Sequence, residues 1–227
     1  MITKLFIHIP KNAGMTIRRS VLMKGKIYLG NIHKDIEYTE RLKQKMNVLG
    51  DHPGLEHSRL IDVHPDLRKL QPFAIVRNPW DRVVSRYFFA KKVMHHEVGS
   101  DHYNETDYAN VSSFEAFLEE RHKWGNQEFM WHRAVRGWFP ALDYVVDENG
   151  VNKCDIIRFE NLNEDLCKYF NLVSMTEARN VTGLNKGKYQ DVFTKETIQI
   201  IADWYKKDID YWGFDFDSGP TRNYWND

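Results

Sequence analysis

Lysine, small and hydroxyl residues that could together bind an oxyanion occur close to the N-terminus. Lys11 carries a full positive charge, Thr16 offers a hydroxyl donor, and between them Ala13 and Gly14 would let backbone N–H groups approach an anion closely. The stretch lacks the GxxxxGK[ST] pattern of common phosphate loops. It is therefore interpreted either as an anion loop with a different cargo or as a plain strand, turn and helix with a solvated lysine.

The residues flanking this loop predict the elements that position it. The apolar run from Lys4 to Ile9 is typical of a buried strand, and Thr16 would then lie in the first turn of a helix. The connecting loop would run from Lys11 to Met15, beside the partial positive charge of a helix N-terminus.

A second segment, "FAIVRNPWDRVVSRYFF" from residue 73 to residue 89, offers side-chain donors. The run "PFAIV" predicts a strand that ends before Arg77, and Asn78 and Pro79 are a good N-cap and first helical residue. At about 100° per residue, the helix presents an apolar face and an opposite face with the residues Asp81, Arg82, Ser85 and Arg86. Guanidinium and hydroxyl groups suit a phosphate, although a solvated charged face is the alternative. Two such sites on neighbouring strand ends would suit a ligand with two anionic groups.

Other patterns predict alternating strands and helices. Ser112 with Glu115 suggests a capping box, and the segment 142–160 is interpreted as two strands around the turn Asn149-Gly150. Near the end, apolar residues at helical spacing run to a stop at Gly213. This order predicts an α/β fold with a mostly parallel sheet and helices on both faces, which binds ligands at the carboxyl ends of its strands.

Composition limits the classes of function. Apolar residues make up 42% of the 227 residues, which is enough for a packed core, and no linker or repeat divides residues 1–227, so one domain is expected. Basic and acidic residues both number 32, so bulk charge favours neither nucleic acid nor a membrane as partner. No apolar run reaches about 18 residues, and no signal peptide is visible, so neither a membrane span nor secretion is expected. Two cysteines suit a reducing, cytoplasmic compartment.

Four segments in order resemble one known family. "HIPKNAGMTI", "IVRNPWDRVVSRYFF", "IIRFENLNEDL" and "KYQDVFTKETIQIIADWYKKDIDYWGFDF" are similar to motifs of sulfotransferases that use 3′-phosphoadenosine-5′-phosphosulfate (PAPS), in particular the carbohydrate-type branch. Together they extend from near residue 5 to residue 216. The resemblance implies a three-layer, P-loop-like α/β fold and PAPS as the sulfuryl donor.

The resemblance also implies roles for particular residues. It assigns the 5′-phosphosulfate to the loop residues Lys11, Asn12, Ala13, Gly14, Met15 and Thr16. It assigns the 3′-phosphate to Arg77 and Ser85, and a loop over the nucleotide to Lys186, Gly187 and Lys188. Lys11 would stabilise the leaving phosphate. A sulfuryl group carries less charge than a phosphoryl group, so no metal ion is expected to be required.

The catalytic base and the acceptor are less well defined by the resemblance. Relatives place a His or a Glu as base between the two anion loops, and "GDHPGLEHSRLI" matches that segment in two registers, through His52 or His57. Glu37 and His33 are further candidates.

The segment 91–140 is predicted to be a helical insertion on the acceptor side. It is rich in aromatic, imidazole and amide groups that suit a sugar, although core packing explains many of the aromatics. Its histidines at 95, 96 and 102 match no zinc spacing.

The sequence therefore favours sulfuryl transfer from PAPS to a hydroxyl or amine of a glycan or small molecule. The alternatives are a P-loop-type phosphoryl transferase and a non-catalytic relative that binds an adenosine bisphosphate. The acceptor and the oligomeric state are left open.

Overall fold

The computed structural model describes residues 2–30, 33–46, 55–94, 109–125, 137–174 and 189–217. In chain order the elements are β1 (Lys4–Ile7), α1 (Gly14–Arg19), β2 (Ile27–Leu29), α2 (Ile36–Met46), β3 (Gln71–Val76), α3 (Pro79–Met94), α4 (Phe114–Trp124), α5 (Leu142–Val145), β4 (Asp155–Arg158), α6 (Leu162–Phe170), α7 (Lys195–Trp204) and α8 (Lys206–Trp212). Short 3-10 turns include Leu55–His57 and Phe159–Asn161.

The four strands form one parallel sheet in the order β2-β1-β3-β4. Phe6 pairs with Phe73, which in turn pairs with Asp155, so β1, β3 and β4 run in register. Their carboxyl ends therefore open at the same edge of the sheet, where ligands of α/β proteins bind. The predicted parallel α/β fold is confirmed.

Helices cover both faces of this sheet because side chains alternate along each strand. Leu5, Ala74 and Ile156 point into the larger core, which contains residues of α3, α4, α7 and α8. Phe6 and Phe73 point the other way, towards α1 and α6. The sheet is thus the middle one of three layers, as expected.

The cap of α4 and the first element of residues 142–160 differ from the prediction. The cap of α4 is Ser113, whose hydroxyl accepts a hydrogen bond from the Ala116 N–H, one residue after the predicted Ser112. The predicted first strand of residues 142–160 is instead the short helix α5, because the Asp208 carboxylate accepts the Ala141 and Leu142 N–H groups and caps that turn.

The C-terminal helical run is interrupted once. Tyr205, with ψ near 23°, separates α7 from α8. The run then ends as predicted at Gly213, whose φ of 70° is left-handed.

Candidate anion-binding site

The loop after β1 has a backbone shape that favours an anion. Lys11 and Ala13 have φ values of 66° and 58°, in the left-handed region that residues other than glycine rarely adopt. Left-handed residues within a turn direct successive N–H groups into one concavity, an arrangement known as a nest. Among the described residues, no partner is recorded for the N–H groups of Lys11, Ala13, Gly14 and Met15.

Three side-chain contacts between this loop and the segment formed by β3, Arg77 and α3 hold the loop in shape. Arg82 Nε donates to the Pro10 carbonyl at 3.1 Å, and Arg77 Nη1 donates to the Lys11 carbonyl at 3.1 Å. Asn12 Nδ2 donates to the Ile75 carbonyl at 2.9 Å, so the Asn12 side chain lies under the loop. In a trans peptide the C=O and the following N–H point in opposite directions. Holding the Pro10 carbonyl against α3 therefore turns the Lys11 N–H away from α3.

The absence of a side chain at Gly14 is required by close packing. A Cβ atom at this position would lie 1.7 Å from Nε2 of His8, whose ring packs directly over the loop. Only glycine leaves room for that imidazole.

The Lys11 ammonium lies among other cations. Its Nζ is 4.2 Å from the centre of the Phe89 ring. Burial, together with the charges of Arg77, Arg86 and Lys92, lowers the pKa of Lys11 to about 7. A bound anion would reverse this effect by supplying the missing negative charge.

Arg77 connects the two predicted anion segments. Its Nε and Nη2 atoms bind the two carboxylate oxygens of Asp81 at 2.7 Å each, and its Nη1 contacts the Lys11 carbonyl. The guanidinium also stacks on the Phe159 ring at 4.0 Å. Within the described residues, three of its five N–H bonds are used, which leaves one on Nη1 and one on Nη2 for a ligand.

The polar side of α3 is buried rather than solvated. Arg82, Ser85 and Arg86 are 1%, 4% and 0% exposed. Arg86 lies over the Trp138 ring at 4.1 Å, and burial lowers its pKa to about 10. Within the described part of the chain, the Ser85 hydroxyl has no recorded hydrogen-bond partner, and neither do the buried atoms Arg82 Nη2 and Asn12 Oδ1. The alternative of a solvated charged face is therefore wrong.

His57 lies beside the first anion loop. Its Nδ1 is 2.9 Å from the His8 carbonyl, and the two imidazoles are 4.2 Å apart. Glu56 pairs with Arg18 of α1 at 3.7 Å and thereby ties the 3-10 turn that carries His57 to the loop's helix. Since a carbonyl only accepts hydrogen bonds, Nδ1 must carry the proton, and Nε2 is the basic nitrogen of the neutral ring.

The other described base candidates are less well arranged. His33 Nδ1 accepts the Asp35 N–H at 3.0 Å, so in the neutral ring the proton lies on Nε2. Nε2 therefore has no lone pair with which to take a proton from the acceptor. Glu37 is 81% exposed and pairs with Arg41. His52 lies outside the described residues.

His33, Asp35 and His64 bring three potential metal ligands within 4.8 Å of one another. The two imidazoles, however, stack at 3.7 Å with an angle of 12° between their planes. Lone pairs in nearly parallel ring planes do not converge on one ion. Both Nδ1 atoms also accept backbone N–H groups, whereas a metal-binding histidine donates its second nitrogen. The cluster therefore ties two turns together rather than forming a metal centre.

The remaining sequence predictions are only partly covered by the structure. The nucleotide-loop residues Lys186, Gly187 and Lys188 and the histidines at 95, 96 and 102 lie outside the described residues. In the described part of segment 91–140, Phe114 and Phe117 are core residues of α4, as the packing alternative predicted.

Sequence reasoning missed several residues that shape the site. Asp81 was placed on the anion face, but its pairing with Arg77 was not foreseen. Glu160 accepts the Asn78 N–H at 2.8 Å, and burial raises the pKa of its carboxyl. The four-residue spacing of Arg77 and Asp81 was a usable signal for their ion pair, because residues at this spacing come close together along a helix. No local signal linked Glu160 to Asn78.

The family model of the sulfotransferase family matches residues 4–215, which is most of the chain and includes both anion segments. The chain belongs to the sulfotransferase family. No curated protein and no solved structure matches it. No described helix of this sulfotransferase-family chain is long and apolar enough to cross a membrane.

Proposed function

We propose that this protein transfers a sulfuryl group from PAPS to a hydroxyl or amine of a glycan or small molecule. The observation that carries the proposal is the contact between the two anion segments, in which Arg77 donates to the Lys11 carbonyl at 3.1 Å. A main-chain cradle and a guanidinium thus lie side by side at the carboxyl ends of β1 and β3. A donor with a 5′-phosphosulfate and a separate 3′-phosphate has the two anionic groups that this pair of sites suits.

In this proposal the two segments bind different ends of the donor. The N–H groups of Lys11, Ala13, Gly14 and Met15 and the Thr16 hydroxyl hold the 5′-phosphosulfate. The two remaining N–H bonds of Arg77 and the hydroxyl of Ser85 hold the 3′-phosphate. The loop of Lys186, Gly187 and Lys188 is proposed to cover the nucleotide.

The chemical step needs one base and one stabilised leaving group. The acceptor oxygen or nitrogen attacks sulfur in line, while the bond from sulfur to the bridging phosphate oxygen breaks. His57 Nε2 takes the acceptor proton, and Lys11 with the loop N–H groups stabilises the charge that develops on the departing phosphate. The products are the sulfated acceptor and 3′-phosphoadenosine-5′-phosphate. Since the moving sulfuryl group carries little charge, the proposal requires no metal ion.

A ligand-stabilisation experiment tests the donor site. Thermal unfolding is followed with 3′-phosphoadenosine-5′-phosphate and, in parallel, with adenosine 5′-phosphate. The double variant Arg77→Ala, Ser85→Ala is expected to lose the extra stabilisation that the 3′-phosphate provides. This loss is measured as the difference in stabilisation between the two nucleotides, because Arg77 also contacts the Lys11 carbonyl of the loop that holds the 5′ group. Unchanged stabilisation by the bisphosphate would remove Arg77 and Ser85 from the site.

A transfer screen with labelled PAPS against glycans, lipids, phenols and small alcohols tests the reaction itself. Label in an acceptor supports the sulfotransferase. Binding of the bisphosphate with no transfer to any acceptor would instead indicate a non-catalytic relative. Mg²⁺-dependent ATP turnover without PAPS binding would indicate a phosphoryl transferase.

A further inference from the structure

Two arginines at neighbouring strand ends form the same type of ion pair. Arg77 follows β3 and binds Asp81 through Nε and Nη2, at 2.7 Å each. Arg158, the last residue of β4, binds Asp165 through the same two atoms, at 2.9 Å each. In both pairs the carboxylate occupies the side edge of the guanidinium.

The surroundings of the two pairs differ. Arg77 makes a third contact, to the Lys11 carbonyl of the anion loop, and stacks on Phe159. Asp165, in contrast, also accepts the backbone N–H of Arg158, so that pair closes locally on β4 and α6. Only the first pair reaches the loop that is proposed to bind the donor.

The contacts of Arg77 fix its guanidinium in one orientation. Asp81 holds one edge, the Lys11 carbonyl holds Nη1, and the Phe159 ring holds one face. The side chain is only 11% exposed, so it has little room for other rotamers. Because a free arginine loses considerable rotamer entropy on binding, a pre-oriented fork binds a phosphate more tightly than a mobile one.

We propose that Asp81 is a positioning residue that aims the remaining N–H bonds of Arg77 at the 3′-phosphate. Asp81 thereby sets how strongly the protein prefers a 3′-phosphorylated nucleotide to one without that group. This inference rests on the proposed function, since it concerns the same donor site. Asp81 itself does not touch the donor.

The test compares the variants Asp81→Asn and Asp165→Asn with the unmodified protein. Dissociation constants for 3′-phosphoadenosine-5′-phosphate and for adenosine 5′-phosphate are measured by calorimetry. The readout is the Kd of adenosine 5′-phosphate divided by the Kd of 3′-phosphoadenosine-5′-phosphate, which is large when the protein prefers the 3′-phosphate. We expect Asp81→Asn to reduce this ratio by about 10- to 100-fold, by analogy with the carboxylates that orient metal-binding histidines, whose loss costs that much in affinity. Asp165→Asn, which disrupts the matching pair, is expected to leave the ratio unchanged.

A thermodynamic cycle shows whether Asp81 acts through Arg77. In an Arg77→Ala background, Asp81→Asn is expected to have no further effect on the ratio. An additional loss there would overturn the proposed route. If Asp81→Asn does not fold, Asp81→Glu keeps the charge but moves the carboxylate by one methylene, and a ratio unchanged in this variant overturns the proposal.

The remaining outcomes separate this inference from the proposed function. An equal loss of affinity for both nucleotides in Asp81→Asn would make Asp81 a structural residue only. A larger ratio would mean that Asp81 competes with the phosphate for Arg77, which also contradicts the inference. If the unmodified protein shows no preference for the 3′-phosphate, the proposed donor fails, and the inference fails with it.

Discussion

The loop after β1 and the segment after β3 end neighbouring strands of one sheet but present donors of different kinds. The first offers backbone N–H groups from a left-handed turn, with Lys11 as its charged side chain. The second offers the guanidinium of Arg77, which lies between β3 and α3, together with guanidinium and hydroxyl groups on the helix itself, all of them largely buried. A backbone N–H group has no rotamers, so its direction is fixed once the loop conformation is fixed. A side-chain donor has several rotamers and must be held in one of them by its neighbours.

The comparison shows that the two segments are not independent. Arg77 and Arg82 of the second segment donate to the carbonyls of Lys11 and Pro10 in the first. The side-chain segment therefore both provides a proposed ligand site and maintains the shape of the main-chain site. Each variant described next removes one contact or one charge from these two segments.

The largest effect is expected for Arg82→Met, which removes the donor to the Pro10 and Phe139 carbonyls. Each buried carbonyl left without a donor costs about 1–3 kcal/mol, so the free energy of unfolding should fall by about 2–6 kcal/mol. The matched control is Arg68→Met, because Arg68 also donates to two carbonyls, those of Val63 and Ile61, but its side chain is 31% exposed. Urea denaturation measures the free energy of unfolding of both variants. An equal decrease in the two would contradict the role of Arg82 in holding the loop.

Lys11→Ala is expected to reduce turnover while the protein stays folded. Removal of one preorganised donor to a developing oxyanion typically lowers kcat by about 10²–10³-fold, which corresponds to about 2.7–4 kcal/mol. The exposed lysine Lys24 provides the control, since Lys24→Ala should leave turnover unchanged. Near-normal transfer by Lys11→Ala in the labelled-PAPS assay would exclude Lys11 from the chemical step.

Gly14→Ala tests how tightly the main-chain loop is packed. The new methyl group would overlap the His8 ring, and overpacking of this kind destabilises proteins by about 1–3 kcal/mol. Adding His8→Ala removes the obstructing ring, so the double variant should lose less stability than the sum of the two single variants. Strict additivity in denaturation experiments would show that the two residues are not in contact.

The smallest effect is a pH dependence of ligand affinity. The pKa of Lys11 in the free protein is lowered to about 7, so above that pH the side chain is neutral, and anion binding must be accompanied by proton uptake. The affinity for 3′-phosphoadenosine-5′-phosphate should therefore fall as pH rises above about 7, by at most tenfold per pH unit. The phosphates themselves are already ionised there, since their second pKa is about 6.

The variant Lys11→Arg separates this effect from other titrations. A guanidinium stays charged over the whole range, so the affinity of this variant should vary little between pH 7 and pH 9. The same slope in both proteins would mean that another group is responsible.

Local sequence signals were sufficient for the elements that carry the site. The apolar runs before Lys11 and Arg77, and the cap at Asn78, correctly located β1, β3 and α3, because strand burial and helix capping depend on adjacent residues. The same reasoning failed for Leu142–Val145, where the cap comes from Asp208, 66 residues later in the chain. It also failed for the burial of Arg82 and Arg86, because a helical projection cannot show that α3 is covered on both sides.

By itself, then, the sequence determined the parallel α/β fold and the family, and it predicted the two anion segments, all from short-range patterns and motif order. Only the tertiary structure decided how these segments act together. The contacts of Arg77 with Lys11, of Arg82 with Pro10 and of His57 with His8 join residues about 50 to 70 positions apart. Such contacts depend on strand order and on side-chain rotamers, which no local pattern specifies.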